Sequence, residues 1–260
     1  MYLPVAPQPS CAQAWLAAAR AVDARPGHEA HNVIVGVDDP LAESAADQAI
    51  IAEVDALLRA HALPVQSVAN TIFPQATYDR HGAPEFYLTY LKQVHPRVMK
   101  RNDWGRYFER MISWPALKKG EQINPLQDII DKMGRQVAAE RVYGNTFELT
   151  VYDPIRDAGP VMNRQCLSFL SFKLEDGAQP KVRLTAMYRN HYYTQRLLGN
   201  LIGLGRLMKF VADQVGAGVG DLTIVSTHAQ VDTVGSRAEI AGLLQRCDAL
   251  RDVEAERQAA

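Results

Sequence analysis

Between residues 146 and 189 the chain changes from helical to strand patterning, and this change restricts its possible architectures more than any other feature. TFELTVYDP (146–154) is rich in β-branched and aromatic residues and stops at a proline. CLSFLSFKL (166–174) and KVRLTAMYR (181–189) follow, separated by the acidic, glycine-containing turn EDGAQP. Successive strand side chains point to opposite faces. Alternation therefore predicts Cys166, Ser168, Leu170 and Phe172 on one face of the first strand, and Arg183, Thr185, Met187 and Arg189 on one face of the second. Apolar residues occur on both faces, as burial on both sides would require. An apolar helix is expected over 194–214 and a last strand over DLTIVSTHAQ (221–230).

Upstream, residues 1–10 carry three prolines and read as an irregular lead-in. Residues 10–24 read as a helix capped by Ser10, 31–40 as a buried strand and 41–61 as a long amphipathic helix. Residues 64–73 read as a further strand and 85–94 as a helix, followed by the charged stretch 95–110. Asn124 and Pro125 suit the start of a helix over 123–137. From Ser236 a charged amphipathic helix is expected, frayed at its end. The glycine run VGAGVGD (215–221) follows a helix rather than preceding one, which argues against a phosphate-binding loop. These elements predict an α/β protein of the α+β type, a mixed β-sheet packed by helices. They are expected to form one domain over 1–260, with 236–260 as a C-terminal helical tail.

The net charge of −1 provides no global field to recruit nucleic acid or an anionic membrane, although a local arginine cluster can still hold a small anion. No apolar run reaches the ~20 residues needed to span a bilayer, and MYLPVAPQPS does not read as a signal peptide. A cytoplasmic protein is expected. Cys11, Cys166 and Cys247 are odd in number and far apart, so neither a disulfide framework nor a structural metal site is expected. In a reducing compartment a free thiol is available for chemistry.

Taken singly, Cys166 reads as a small core residue and Arg189 as a solvated or ion-paired group at a strand end. Their order along the chain says more. YRNHYYTQRLLGN (188–200) places an arginine near its start and an asparagine at its end. A cysteine heads a strand twenty-odd residues before the arginine, and a histidine follows GDLTIVST about thirty residues after the asparagine. YFERMISW spaces Tyr107 and Trp114 seven residues apart, and NPLQDIIDKM and TVYDP come after it. In order and spacing, roughly residues 85–232 resemble the thymidylate synthase and pyrimidine nucleotide hydroxymethylase superfamily, while residues 1–75 diverge from it.

The resemblance implies methyl or hydroxymethyl transfer to C5 of a pyrimidine nucleotide, with 5,10-methylenetetrahydrofolate as the one-carbon donor, in a homodimer joined through its sheets. Cys166 would be the nucleophile that adds to C6 and makes C5 nucleophilic. Arg189 would hold the phosphate and lower the thiol's pKa. Glu85, at the head of EFYLTYLK, is the candidate to manage the proton on the O4 side through water, and Tyr107 the candidate for the C5 proton. Asn200 would read a uracil-type edge, since it can donate to O4 and accept from N3–H. His228 would lie near the sugar hydroxyl, with Gln230 where the family has a tyrosine. Asn190, Arg164 and Trp114 complete the candidate binding set.

The residues also have structural readings. Glu85 suits a helix N-terminus, Tyr107 and Trp114 suit a core, Asn200 a buried polar contact, and His228 a satisfied core position. The chain departs from the family in several places. Asn145 and Thr146 stand where the family carries paired arginines, with Arg141 and Arg164 nearby. Tyr192 replaces the aspartate that supports the folate ring, and no Arg-Thr-Gly phosphate loop occurs in residues 1–75. Two other readings follow: a catalytically degenerate nucleotide-binding relative, or an unrelated enzyme built on a Cys166–His228 pair.

Overall fold

The structure is a computed structural model that describes residues 2–100, 107–159, 164–232 and 234–259, with side chains to residue 256. In chain order the elements are β1 (Leu3–Gln8), α1 (Cys11–Asp23), β2 (Glu29–Val37), α2 (Ala45–His61), α3 (Val65–Ile72), α4 (Gln75–His81), α5 (Glu85–Thr89), α6 (His95–Lys100) and α7 (Tyr107–Ile112). There follow β3 (Trp114–Pro115), β4 (Gln122–Ile123), α8 (Pro125–Ala138), β5 (Phe147–Thr150), α9 (Pro154–Asp157), β6 (Leu167–Glu175), β7 (Lys181–Tyr188), β8 (His191–Tyr192), α10 (Leu198–Val215), β9 (Gly218–Gln230) and α11 (Arg237–Ala259). Single π-type turns join α5 to α6 (Tyr90–Val94) and lead into α10 (Tyr193–Leu197).

Seven strands form one mixed sheet in the order β1-β2-β9-β7-β6-β5, with β8 beside β9. The β2–β9, β6–β7 and β5–β6 pairs are antiparallel; β1–β2, β7–β9 and β8–β9 are parallel. One face of the sheet is buried: Val33, Val35 and Val37 on β2, Val182, Leu184, Ala186 and Tyr188 on β7, and Leu222 and Ile224 on β9. Helix α1 packs on β1 and β2, α10 on β7 and β9, and α8 on β5; α2, α3 and α11 form a further layer outside them. Trp15 ties α1 to the start of α10: its indole N–H donates to the Tyr193 carbonyl at 2.8 Å.

Local chemistry explains the helix boundaries. Ser10 caps α1, Ser44 and Asp47 form a reciprocal capping box on α2, and Asn124 caps α8. Gly216 ends α10 in the left-handed region at φ 72°, so the glycine run terminates a helix. No helix among the described residues is long and apolar enough to cross a membrane.

Three expectations are corrected. Residues 3–8 form a strand rather than an irregular lead-in; as an edge strand β1 tolerates prolines, which cannot donate to a ladder. Residues 65–72 form a helix rather than a strand, with Val65, Val68, Ala69 and Ile72 buried at helical spacing. The alternation across 166–172 is broken by a register shift between Leu167 and Phe169, so Leu167 and Leu170 are both buried. The Ser168 carbonyl sits at this irregularity and accepts from the amides of Val151 and Tyr152 at 2.9 and 3.0 Å. In the protomer the outer face of β7 is exposed and mostly polar, carrying Arg183, Thr185 and a 40%-exposed Met187. Part of the charged stretch, residues 101–106, lies outside the described residues.

Candidate functional site

The site lies at an interruption of the sheet. Tyr188 pairs with Ser226 and His191 with Ala229, and the two residues between them, Arg189 and Asn190, fall outside the ladder. The Thr227 hydroxyl fills the gap, within 3.3 and 3.0 Å of the Tyr188 and Arg189 carbonyls. With its main chain out of the ladder, Arg189 turns to the segment before β6. Its amide donates to the Cys166 carbonyl at 2.9 Å, its Nε to the Gln165 carbonyl at 2.9 Å and its Nη2 to the Arg164 carbonyl at 3.1 Å. The guanidinium thus holds the chain that presents Cys166, and Nη1 is not engaged in those bonds.

Cys166 is a free, partly buried thiol one residue before β6. Burial pushes its pKa up, and the guanidinium groups of Arg189 and Arg196 pull it down; burial is the larger effect and the net shift is upward. Arg189 therefore acts on the thiol in the expected direction without outweighing desolvation. Tyr107 is buried, with its hydroxyl beside the main-chain amides of Leu167 and Cys166. Its pKa is raised, first by burial and next by the charge that Cys166 would carry. Tyr188 lies in the same environment, fully buried, and its hydroxyl has no partner among the described residues.

A second cluster adjoins the first through Tyr188, whose ring stacks on His191 at 4.0 Å between centroids and 11° between planes. His191 Nε2 lies 2.8 Å from the Asn200 amide nitrogen, and its Nδ1 lies 3.1 Å from Ser226 Oγ. His191, Asn200 and Ser226 are all buried, so Asn200 does make a buried polar contact, with its amide edge anchored by an imidazole.

His228 occupies the rim. Its Nδ1–H donates to Asn190 Oδ1 at 2.5 Å, its Nε2 lies 3.4 Å from Glu29, and its ring meets His31 edge-on at 5.3 Å. Both ring nitrogens face partners other than the thiol, so the structure does not form the Cys166–His228 pair of the alternative reading.

The remaining candidates are more dispersed. Gln230 pairs through its main chain with Tyr192 at the end of β9. Arg164 accepts from Arg189, and its own buried Nε has no partner among the described residues. Trp114 is half-buried on β3, and its indole donates to the Arg110 carbonyl. Glu85 is exposed in the first turn of α5, without a hydrogen bond or ion pair among the described residues. Among the described residues no group of three or more His, Cys, Asp or Glu side chains is arranged to hold a metal ion.

Sequence reasoning missed three members of the site. Arg196 lies four residues before Asn200 and so shares a helical face with it, the signal that could have found it. Tyr188 continues the buried alternation of Val182, Leu184 and Ala186. His191 had no signal beyond its place in the loop. A separate cleft of about 430 Å³ lies at the opposite end of β6 and β7, where Arg183 bridges Glu175 and Asp221 at 2.9 Å each.

No protein-family model matches the chain. Over 125 residues it is 28% identical to a protein of Methanosarcina acetivorans named "Putative thymidylate synthase", covering 48% of this chain and 51% of that one. Proteins of the same name from Methanococcoides burtonii and Methanosarcina barkeri match over the same shares at 27% and 26% identity. The chain spans about half the length of the curated relatives it matches.

Proposed function

We propose that this chain is a thymidylate-synthase-like enzyme that adds the Cys166 thiolate to C6 of a uracil-type pyrimidine nucleotide and thereby activates C5. The observation that carries the reading is the junction at the sheet interruption, where Arg189 holds the segment bearing Cys166 and Tyr107 lies against the same segment. The named relatives point to the same chemistry.

In this mechanism Arg189 and Arg196 supply positive charge at the thiol, offsetting part of the cost of ionising it in a buried place. The thiolate forms a bond to C6, and the C5–C6 π electrons move toward C5 and O4. A proton from solvent is taken up at C5. Loss of the original C5 proton, with Tyr107 or an adjacent water as acceptor, regenerates the ring enolate, and expulsion of the thiolate restores the C5–C6 double bond. Asn200 faces the base edge, Arg189 and Arg164 face the phosphate, and His228 with Asn190 and Gln230 lies toward the sugar. The resemblance alone, and no contact described above, supports an O4-side role for Glu85 through water and a place for Trp114 beside the base.

A methylenetetrahydrofolate-type donor is what the resemblance implies, but the residue at the expected folate-supporting position does not fit it. Tyr192 is 40% exposed and offers no carboxylate, and nearby Asp232 is buried and already accepts from Thr194 and Gln195. A second copy covering the outer face of the sheet, around Phe169 and Met187, would supply the burial that the protomer lacks.

The test needs no donor. Incubation with a 5-tritiated uracil nucleotide should release tritium to water, and a 5-fluoropyrimidine nucleotide should add its mass to the protein at Cys166; Cys166→Ser should abolish both. The raised thiol pKa favours one other reading, a nucleotide-binding relative without chemistry. That reading predicts nucleotide-dependent thermal stabilisation that survives Cys166→Ser, with no tritium release from wild type.

A further inference from the structure

Asn200 has four hydrogen-bonding positions, two N–H groups and two lone pairs on Oδ1. The structure assigns one of them. The amide nitrogen lies 2.8 Å from His191 Nε2, and an amide nitrogen only donates, so Nε2 accepts and the imidazole proton resides on Nδ1. Nδ1–H in turn reaches Ser226 Oγ at 3.1 Å, which is itself 3.3 Å from the Tyr193 hydroxyl. The ring is held on its faces as well: Tyr188 stacks at 4.0 Å, and Tyr193 meets it edge-on at 5.5 Å and 89°. His191 is 1% exposed, and burial alone lowers its pKa to about 3, which keeps the imidazole neutral and Nε2 able to accept.

We propose that His191 is a positioning residue that sets the donor–acceptor polarity of the Asn200 amide, and through it the preference of the site for a uracil-type over a cytosine-type base. The inference rests on the pyrimidine-nucleotide reading above and names the device that selects the base. With one Nδ2–H committed to His191, the amide offers its second N–H and its Oδ1. That pair matches the O4 acceptor and N3–H donor of uracil. Cytosine presents the opposite order, an N4 amino donor and an N3 acceptor. To accommodate it the amide must turn over, which brings Oδ1 against the Nε2 lone pair unless the imidazole proton and the Ser226 hydroxyl reverse in step. Three buried groups must then invert together, and a mismatch at one buried position already costs a factor of about 10 to 100 in binding.

The experiment compares equilibrium binding of 2′-deoxyuridine and 2′-deoxycytidine 5′-monophosphates to wild type, His191→Phe, Ser226→Ala and Asn200→Ala. His191→Phe keeps a ring against Tyr188 but neither donates nor accepts. Wild type should prefer the uracil nucleotide by at least about tenfold. Asn200→Ala and His191→Phe should bring the ratio near unity, and Ser226→Ala should lower it by a smaller factor. A purely structural role would weaken both nucleotides alike and leave the ratio unchanged. The imidazole ¹⁵N spectrum of wild type, assigned through the contacts of the ring with Tyr188 and Tyr193, should show a neutral ring protonated on Nδ1 between about pH 5 and 8. It tests the premise even where a variant does not fold. An Nε2–H or doubly protonated ring overturns the inference. So does a uracil preference that Asn200→Ala removes but folded His191→Phe and Ser226→Ala retain. If wild type binds neither nucleotide, the pyrimidine reading itself fails, and the inference with it.

Discussion

Helix α10 approaches α3 across two glycines, and the space at each can be converted into an expected energy. A Cβ on Gly199 would stand 2.5 Å from Val68 Cβ, 2.7 Å from Val68 Cγ1 and 2.8 Å from the Val65 carbonyl oxygen. One on Gly203 would stand 2.7 Å from the Ala69 carbonyl oxygen. Carbon atoms rest at about 3.5–4.0 Å, so Gly199→Ala requires α3 to retreat by roughly 1 Å. Val68 is stiff and fully buried and the other obstacle is backbone, so neither can rotate aside. A 1 Å gap forfeits up to about half of each contact, and Val65, Val68 and Ile72 are each worth about 1.5–3 kcal/mol when buried. The expected loss is about 2–4 kcal/mol, at the upper end of ordinary overpacking. Gly134, in the interior of α8, has nothing within 4 Å of its would-be Cβ. Gly134→Ala should therefore stabilise by about 0.5–1 kcal/mol through helix propensity alone. Urea unfolding should move the midpoint down for the first variant and up for the second, with the slope unchanged in both. A loss below about 1 kcal/mol for Gly199→Ala would show that the helices are not held at this distance.

Acid should find a weak point in His191. The unfolded chain takes up its proton near the ordinary value of 6.5 and the folded protein only near about 3, so stability falls as pH drops through that interval. Between about pH 6.5 and 5 the histidine should cost about 2 kcal/mol, and His191→Phe should flatten the pH dependence of the urea midpoint by that amount; parallel curves would place the imidazole in contact with water. At Cys166, iodoacetamide alkylation followed by peptide mass should rise with pH about a midpoint above that of an ordinary thiol. Arg196→Met should move it higher still, because a guanidinium that favours the thiolate is gone; an unmoved or lowered midpoint would remove Arg196 from the site.

Local chemistry made much of the fold legible. Ser10 and Asn124 announced their helices as caps, and the 166–189 pattern gave two paired strands with the turn in the right place. The segment 64–73 was misread because its valines and isoleucine suggest a strand, although Val65, Val68, Ala69 and Ile72 keep helical spacing. The prolines of residues 1–10 hid β1, since whether an edge needs ladder donors depends on strand order, which no local pattern carries. Cys166 and Arg189 could be linked by their spacing along the chain. The coupling of Asn200 to His191 could not, because it depends on the ladder interruption at Arg189 and Asn190 and on Ser226 arriving from β9.

The position of β9 has a consequence for how the protein folds. β2 finds its antiparallel partner in a strand roughly 190 residues later, and that same strand supplies Ser226, His228 and Gln230. Until β9 is in place, one flank of β2 remains an open hydrogen-bonding edge, and β7 lacks its inner neighbour. Closing so long a loop adds little to the equilibrium cost beyond a loop half its length, but it delays the reward, because non-local contacts form late. A ribosome-bound chain stopped before residue 218 should therefore hold an incomplete sheet, prone to strand addition by other chains and dependent on chaperone cover. The groups proposed to read the base and to face the sugar would come together only with the last sheet pairing, so nucleotide binding, if the proposal holds, serves as a direct readout of completed folding.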